Sequence, residues 1–319
     1  MTTSLPALTL ITTGGTIAGA AADSRQTRQY QAGVFNAEHL LHSLPPLETL
    51  ADIRVVSPYS IDSKDITPAH WLTLHQCVQQ ALNTAETDGV VITHGTDTLE
   101  ETAILLHLTL PAVKPVVITG AMRPPTALSA DGPANLYQAL QVAADPRSAR
   151  RGVIVCFNGT LFSADNIIKH NSHTLSAFTA HNAVAMGTSD PVHFYGEATI
   201  QEKPLYPLPA KAEDFAEVPC IYAAAGSSPS LLLAAAAAGA AGIVLILPGN
   251  GSLPLSWISA VRQVCDQGIP VIRCSRCAQG EVSDREFDAQ AGCVSARTLS
   301  PAAARIHLML RLSQQKNST

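Results

Sequence analysis

Two stretches of this 319-residue chain gather hydroxyls, glycines and ionisable side chains at spacings that suit acyl chemistry. In Thr13-Gly14-Gly15-Thr16-Ile17-Ala18-Gly19 a threonine follows two glycines at the end of an apolar run. Glycines let a ligand approach the main chain, and their amides can face a developing oxyanion. Thr16 would then be a nucleophile if a base is near, or it simply caps a turn. In Thr93-His94-Gly95-Thr96-Asp97-Thr98 the turn holds hydroxyls, an imidazole and a carboxylate. Asp97 suits either the cap of the helix that follows or a substrate ammonium. His94, at a strand end, reads as a hydrogen-bonded structural residue rather than a base. Lys169 is a solvated side chain or, packed beside hydroxyls in a cleft, a lysine of shifted pKa that assists a base.

These residues need elements to position them. Gly89 to Ile92 is β-branched and apolar, as a strand buried on both faces should be. Thr98-Leu99-Glu100-Glu101 has the pattern of a capping box at a helix start. Strands are expected at Leu8–Thr12, Ile53–Ser57, Lys114–Thr119 and Gly152–Phe157, alternating with helices at Ala37–Ser43, after Thr67-Pro68, at Leu99–Leu110 and at Asp131–Ala144. That alternation argues a parallel sheet with helices on both faces, of the flavodoxin-like type. Its strand ends, Thr-Gly-Gly-Thr, Thr-His-Gly-Thr-Asp, Thr-Gly-Ala and Asn-Gly-Thr, would converge along one edge. From Pro191 to Pro219 prolines cluster and periodicity is lost, so residues 1–195 read as a large N-terminal α/β domain and 196–217 as a linker. Residues 218–319 read as a smaller C-terminal α/β domain. Ala20 to Gly33, long and without periodicity, reads as a lid or binding loop.

Composition narrows the function classes. With 46% hydrophobic and 14% charged residues and a net charge of −5, the chain is globular, and no Lys/Arg cluster suggests a nucleic-acid surface. The apolar run Leu231 to Leu247 is short for a membrane span and broken by Gly239 and Gly242. Gly14, Gly15 and Gly19 do not form the dinucleotide fingerprint, and no Walker loop occurs. Seven cysteines without framework spacing are expected to be reduced, and Cys274-Ser275-Arg276-Cys277 alone is weak evidence for zinc. No signal peptide is visible, so the expected location is cytoplasmic, or periplasmic if a signal has been removed.

The two long motifs resemble the signatures of bacterial-type L-asparaginases and glutaminase-asparaginases. Gly120-Ala121-Met122-Arg123-Pro124, Ser129-Ala130-Asp131-Gly132-Pro133 and Gly249-Asn250-Gly251-Ser252 add to the resemblance, in family order over most of the chain. It implies hydrolysis of the asparagine side-chain amide to aspartate and ammonia, with some glutaminase activity and with no metal or cofactor. Carried over by position, Thr16 matches the nucleophile and Tyr30 the lid tyrosine that orients or activates it. Thr96, Asp97 and Lys169 match a second catalytic group. Gly15 and Ser63 match substrate contacts, Ser63 at the α-carboxylate. Asp97 matches the partner of the α-ammonium, and Ala121 a carbonyl contact at the leaving amide. The family is usually a homotetramer, a dimer of dimers, in which Ser252 and Glu286 of the C-terminal domain would complete a partner's site. The Glu-Glu-Thr after Leu99 is similar to the periplasmic branch.

Three features depart from the family pattern. Lys64 stands where many relatives carry Gln or Glu, and a cation there would repel a substrate ammonium by roughly 1 to 4 kcal/mol at ~4 Å, unless it turns to solvent or pairs with Asp62 or Asp65. Ser163 to Asn166 lacks an Arg often seen in that segment, and the disulfide of the periplasmic branch has no obvious equivalent. Two alternatives stand beside asparagine hydrolysis: a hydrolase of another amide such as glutamine, and a non-catalytic amino-acid-binding regulatory module.

Overall fold

Valine, isoleucine and leucine fill short runs with no polar alternation, and these become strands covered on both faces. The computed structural model describes residues 5–25, 31, 33–111, 113–198 and 206–316. The chain divides into two units, Met1–Ala180 with Val184–Leu205, and His181–Ala183 with Tyr206–Thr319.

In the first unit β1 (Ala7–Thr12), β2 (Asp52–Val56), β3 (Gly89–Thr93), β4 (Val116–Thr119) and β5 (Val153–Phe157) pair in parallel in the order β2-β1-β3-β4-β5. This is the flavodoxin-like order, and its switch point lies between β1 and β3, where the connections diverge and leave a crevice at the carboxyl ends. The chain then doubles back in β6 (Thr160–Ser163) and leaves the sheet for an antiparallel pair, β7 (Ile167–Lys169) and β8 (Phe178–Ala180). It returns as β9 (Gly187–Ser189) and β10 (Val192–Phe194), so the sheet ends β5-β6-β9-β10 with these last pairings antiparallel.

Two expectations are corrected here. Asn158-Gly159 is not a crossover turn like the other strand ends. Asn158 (φ 47°) and Gly159 (φ 78°) are both left-handed, the conformation of a tight hairpin turn, so β5 runs straight back into β6. The proline-rich segment also begins later than Pro191, because Val192–Phe194 is an edge strand. Three residues are too few to carry a readable period.

Among the described residues four helices cover this sheet: α1 (Ala37–His42), α2 (Pro68–Asn83), α3 (Leu99–Thr109) and α4 (Gly132–Ala144). Alternate strand residues Leu8, Leu10, Val91, Val117, Ile154 and Cys156 pack with Leu40 of α1 and with Leu136, Ala139, Leu140 and Ala143 of α4. Helices α2 and α3 lie on the other face, tied by the Trp71 indole N–H donating to Thr102 Oγ1 at 2.9 Å. Nearly all of α3 is buried, Glu100 and Thr109 being among the exceptions. It is therefore a fixed rod leading away from the end of β3.

The second unit is a parallel sheet of β11 (Cys220–Tyr222), β12 (Ile243–Leu247), β13 (Val271–Ser275) and β14 (Val294–Ser295), in that order. Its helices are α5 (Ser230–Ala237), α6 (Ile258–Asp266), α7 (Glu286–Ala291) and α8 (Pro301–Lys316). The apolar run 231–247 is thus a helix, a turn through Gly239 and a strand. No helix among the described residues is long and apolar enough to cross a membrane.

Candidate active site

The turns after β1, β3 and β4 meet backbone against backbone. A Cβ on Gly14 would stand 2.5 Å from the main-chain N and O of Ile61, and one on Gly15 would stand 2.5 Å from Gly95 Cα and N. A Cβ on Gly95 would fall 2.6 Å from Ser63 Oγ, and one on Gly120 would strike the His94 carbonyl. Gly14 (φ 99°) and Gly15 (φ 81°) also occupy the left-handed region that other residues avoid. These glycines let hydroxyl-bearing turns from separate parts of the chain close on one another.

Thr16 begins a single 3₁₀ turn, Thr16–Ala18, and is 5% exposed. The Gly15 N–H donates to Ile61 O at 2.9 Å, and its carbonyl accepts from Ala18 N and Gly33 N. The glycine amide that could have faced an oxyanion is therefore occupied, and Gly15 contributes space instead. Ser63 starts another 3₁₀ turn, Ser63–Asp65, and is buried. Its Oγ accepts from Asp97 N–H at 3.2 Å, and its carbonyl accepts from Thr98 Oγ1 at 2.8 Å. Thr98 makes no side-chain cap to α3. The expected capping box is thus absent, because that hydroxyl joins the Ser63 turn to the Thr96 turn.

Lys64 does not stand as a lone cation. Its Nζ lies 2.7 Å from Asp62 Oδ2 and 3.2 Å from Asp65 Oδ2, and its side chain is 60% exposed. The hydrogen bonds it donates to Asp62 and then Asp65 raise its pKa. The expected repulsion is opposed by two carboxylates on the same turn.

Lys169 gathers the second turn. Its Nζ donates to Thr96 Oγ1 at 2.9 Å and to Asp97 Oδ1 at 2.6 Å. Thr96 is buried, the Lys169 side chain is 16% exposed and that of Asp97 58%. The pair is thus buried on the lysine side and open to solvent on the carboxylate side. The Lys169 main-chain N–H donates to Glu100 Oε2 at 2.7 Å. Burial pushes the Glu100 carboxyl up to about 7, against the pull of that N–H. Glu100 is the residue that motif reading misses. Its place in the first turn of α3 suggests a helix-end role, and only the fold brings β7 above it.

The third turn is braced from α4. Both Asp131 carboxylate oxygens accept main-chain N–H groups, Met122 N to Oδ2 and Arg123 N to Oδ1, each at 2.9 Å. Burial raises the Asp131 pKa, and these bonds partly offset it. Asn135 Nδ2 donates to Gly120 O at 2.9 Å, and Ala121 is fully buried beside it. His94 is also fully buried. Its Nδ1 donates to Gly95 O at 2.7 Å, Nε2 has no hydrogen-bond partner among the described residues, and burial lowers its pKa to about 4. It is a structural imidazole.

Gly15, Thr16, Ser63, Thr96, Asp97, Ala121 and Lys169 therefore all lie on these turns and the adjoining strand β7. Tyr30 lies outside the described residues. Ser252 and Glu286 belong to the second unit and are exposed there. The Ser252 N–H donates to Pro248 O in the turn after β12, and Glu286 opens α7. Buried Arg273 joins these two segments, with Nε and Nη2 on the Asp288 oxygens at 2.5 Å and Nη1 on Gly251 O at 3.1 Å. Cys274 is buried and Cys277 exposed, both as free thiols.

Comparison with known proteins bears on this arrangement. The family profile "Asparaginase, N-terminal" matches residues 7–200, and the "Glutaminase/Asparaginase C-terminal domain" profile matches 217–319. The chain is 38% identical over 318 residues to L-asparaginase 2 of Escherichia coli (strain K12), covering 98% of this chain and 90% of that one. It is 32% identical to the glutaminase-asparaginase of Acinetobacter glutaminasificans over 97% of this chain and 96% of that one. The crystal structure of a probable cytoplasmic L-asparaginase from Campylobacter jejuni superposes with a TM-score of 0.91 at 33% identity, covering 97% of this chain and 95% of the other. Matches of this extent, over a flavodoxin-like sheet whose glycine turns close at its switch point, mean that the chain belongs to the asparaginase family.

Proposed function

We propose that this chain is an L-asparaginase that hydrolyses L-asparagine to L-aspartate and ammonia, with glutamine as a lesser substrate, and that Thr16 is its nucleophile. The observation that carries the reading is the Lys169 ammonium within hydrogen-bond reach of both Thr96 Oγ1 and Asp97 Oδ1, on a turn packed directly against the Gly15–Thr16 turn. A binding module has no use for two hydroxyls and an ammonium held this way; an acyl-transfer site does.

In this reading Thr16 Oγ attacks the side-chain amide carbon. The Oγ–C bond forms, the C–N bond breaks, and the threonine proton ends on the departing ammonia. Water then attacks the acyl group, aspartate leaves and Thr16 recovers its proton. Because Lys169 donates to Thr96 Oγ1, that hydroxyl keeps its own hydrogen to orient the water or pass a proton. Ser63 Oγ already accepts from Asp97 N–H, so its O–H remains to donate to the substrate α-carboxylate. The half-exposed Asp97 carboxylate meets the α-ammonium. Tyr30 serves Thr16 from the segment after Gly19, and Ala121 contacts the amide nitrogen through its carbonyl.

The same reading divides the chain into a catalytic domain (1–195), a linker (196–217) and a C-terminal domain (218–319) that completes a partner's site in a homotetramer. The exposure of Ser252 and Glu286 at one sheet end and one helix start supports their use by a second copy.

A coupled ammonia assay on asparagine and glutamine tests the reading. Thr16→Ala is expected to lose ammonia release from both while keeping the circular dichroism of the parent. An active Thr16→Ala protein overturns the nucleophile assignment.

A further inference from the structure

The lysine that bridges Thr96 and Asp97 does not belong to the main sheet. It ends β7, a three-residue strand paired, among the described residues, only with β8. Phe178 of β8 packs edge-on against Phe157 of β5, but no ladder hydrogen bond from the main sheet fixes Lys169 itself among the described residues. The nearest rigid body is α3, which starts two residues after Asp97 and is buried along most of its length. Glu100 and His107 lie seven residues apart on α3, two turns along one face and about 10 Å along the axis. Each holds one end of the segment 165–169. Asp165 Oδ1 is 2.6 Å from His107 Nε2, and the Lys169 main-chain N–H donates to Glu100 Oε2 at 2.7 Å. His107 is itself fixed, since its Nδ1 accepts from Val153 N–H at 3.1 Å, on the neighbouring strand β5. Asp165 and Asn166 lie in the 3₁₀ turn Ala164–Asn166 and Ile167–Lys169 form β7, so a short segment of defined backbone is pinned at both ends.

We infer that Glu100 is a positioning residue: by accepting the Lys169 N–H it fixes the main chain from which the ammonium reaches Thr96 Oγ1 and Asp97 Oδ1, with the His107–Asp165 pair anchoring the other end. The turn and the lysine are thereby referenced to the same helix. Asp97 lies two residues before its start, and Lys169 is hung from its first turn. The charged groups facing Glu100 are its neighbour Glu101 and Lys169 itself. The contact that defines position is the main-chain hydrogen bond, which a neutral acceptor of the same length also makes. This inference rests on the proposed role of Lys169.

Two variants separate reach from charge. Glu100→Gln keeps the length and the acceptor but loses the charge. Glu100→Asp keeps the charge but withdraws the acceptor by one methylene. With asparagine as substrate, Glu100→Gln is expected to keep kcat within threefold of the parent. Glu100→Asp is expected to lose more than tenfold in kcat with KM within threefold, since a misplacement near 1 Å costs on the order of 10²-fold. A Glu100→Asp enzyme within tenfold of the parent overturns the inference. So does a Glu100→Gln enzyme no better than Glu100→Asp, or a KM that rises in step with the loss. Lys169→Met, assayed alongside, separates the layers: if it is as active as the parent, the proposed role of Lys169 falls. Amide hydrogen exchange at Lys169 still tests the clamp in that case. Protection is expected in the parent and Glu100→Gln and loss of protection in Glu100→Asp; equal protection in all three overturns it.

Discussion

Gly15 and Gly95 face each other with no side chain between them. A Cβ on Gly15 would stand 2.5 Å from both Cα and N of Gly95. This approach brings the Thr16 turn and the Thr96 turn together at the switch point between β1 and β3.

Gly15→Ala is therefore expected to act twice. The methyl overpacks against main chain that cannot swing aside, and the φ of 81° is unfavourable for alanine. Together these should cost about 2–4 kcal/mol, with asparagine turnover falling at least tenfold as the turns separate. Urea unfolding and the ammonia assay check both, and a loss of stability below about 1 kcal/mol would show that the turns have room.

Lys64 gives a different kind of prediction. Its ammonium is held by Asp62 and Asp65 on its own turn, and asparagine is a zwitterion with no net charge. Removing the cation should thus leave substrate affinity nearly unchanged. Lys64→Gln is expected to shift the KM for asparagine by less than threefold. A tenfold tightening, measured by steady-state kinetics, would mean that the cation does act on the substrate ammonium.

His94 predicts a pH effect with a definite sign. Burial holds its pKa at about 4, below the ordinary 6.5. Above pH 6.5 the ring is neutral in folded and unfolded chains alike. As the pH falls from 6.5 towards 4, the unfolded chain takes up a proton that the folded chain refuses, so stability falls, by up to about 3 kcal/mol. Glu100, pushed up to about 7 from 4.5, has the opposite slope. Its protonated form favours the folded chain, and that advantage is lost as the pH rises from 4.5 to 7. Comparison of His94→Asn with its parent isolates the histidine. Relative to the parent, the variant is expected to gain about 2–3 kcal/mol between pH 7.5 and pH 4.5 in chemical denaturation. No gain would mean that the imidazole is not held in a dry site.

The strand–turn–helix unit around Thr93–Asp97 is legible in the residues because each part has a local cause: a β-branched run, a glycine and a polar helix start. The order of strands along one edge follows from the same alternation. Features that depend on distant chain are not legible in this way. Thr98 looks like a cap until Ser63 arrives to take its hydroxyl. Glu100 looks like part of a helix start until β7 covers it. For Lys64 the sequence offers Asp62 and Asp65 as possible partners, and only the conformation of the turn, which spacing does not specify, shows that both hold it at once. Asn158-Gly159 carried its own hairpin signal, but the neighbouring crossover turns have the same small polar chemistry.

The placement of Lys169 on β7 has a kinetic consequence. It lies 73 positions after Thr96 in the chain, and among the described residues the β7–β8 pair shares no hydrogen-bonded ladder with the main sheet. Its docking contacts, with Glu100 and His107 of α3, with the Thr96 turn and through Phe178 on Phe157 of β5, all need those elements in place beforehand. On dilution from denaturant, the circular dichroism of the sheet is expected to return first and ammonia release to trail it. Coincident recovery would mean that the lysine strand docks as the sheet forms.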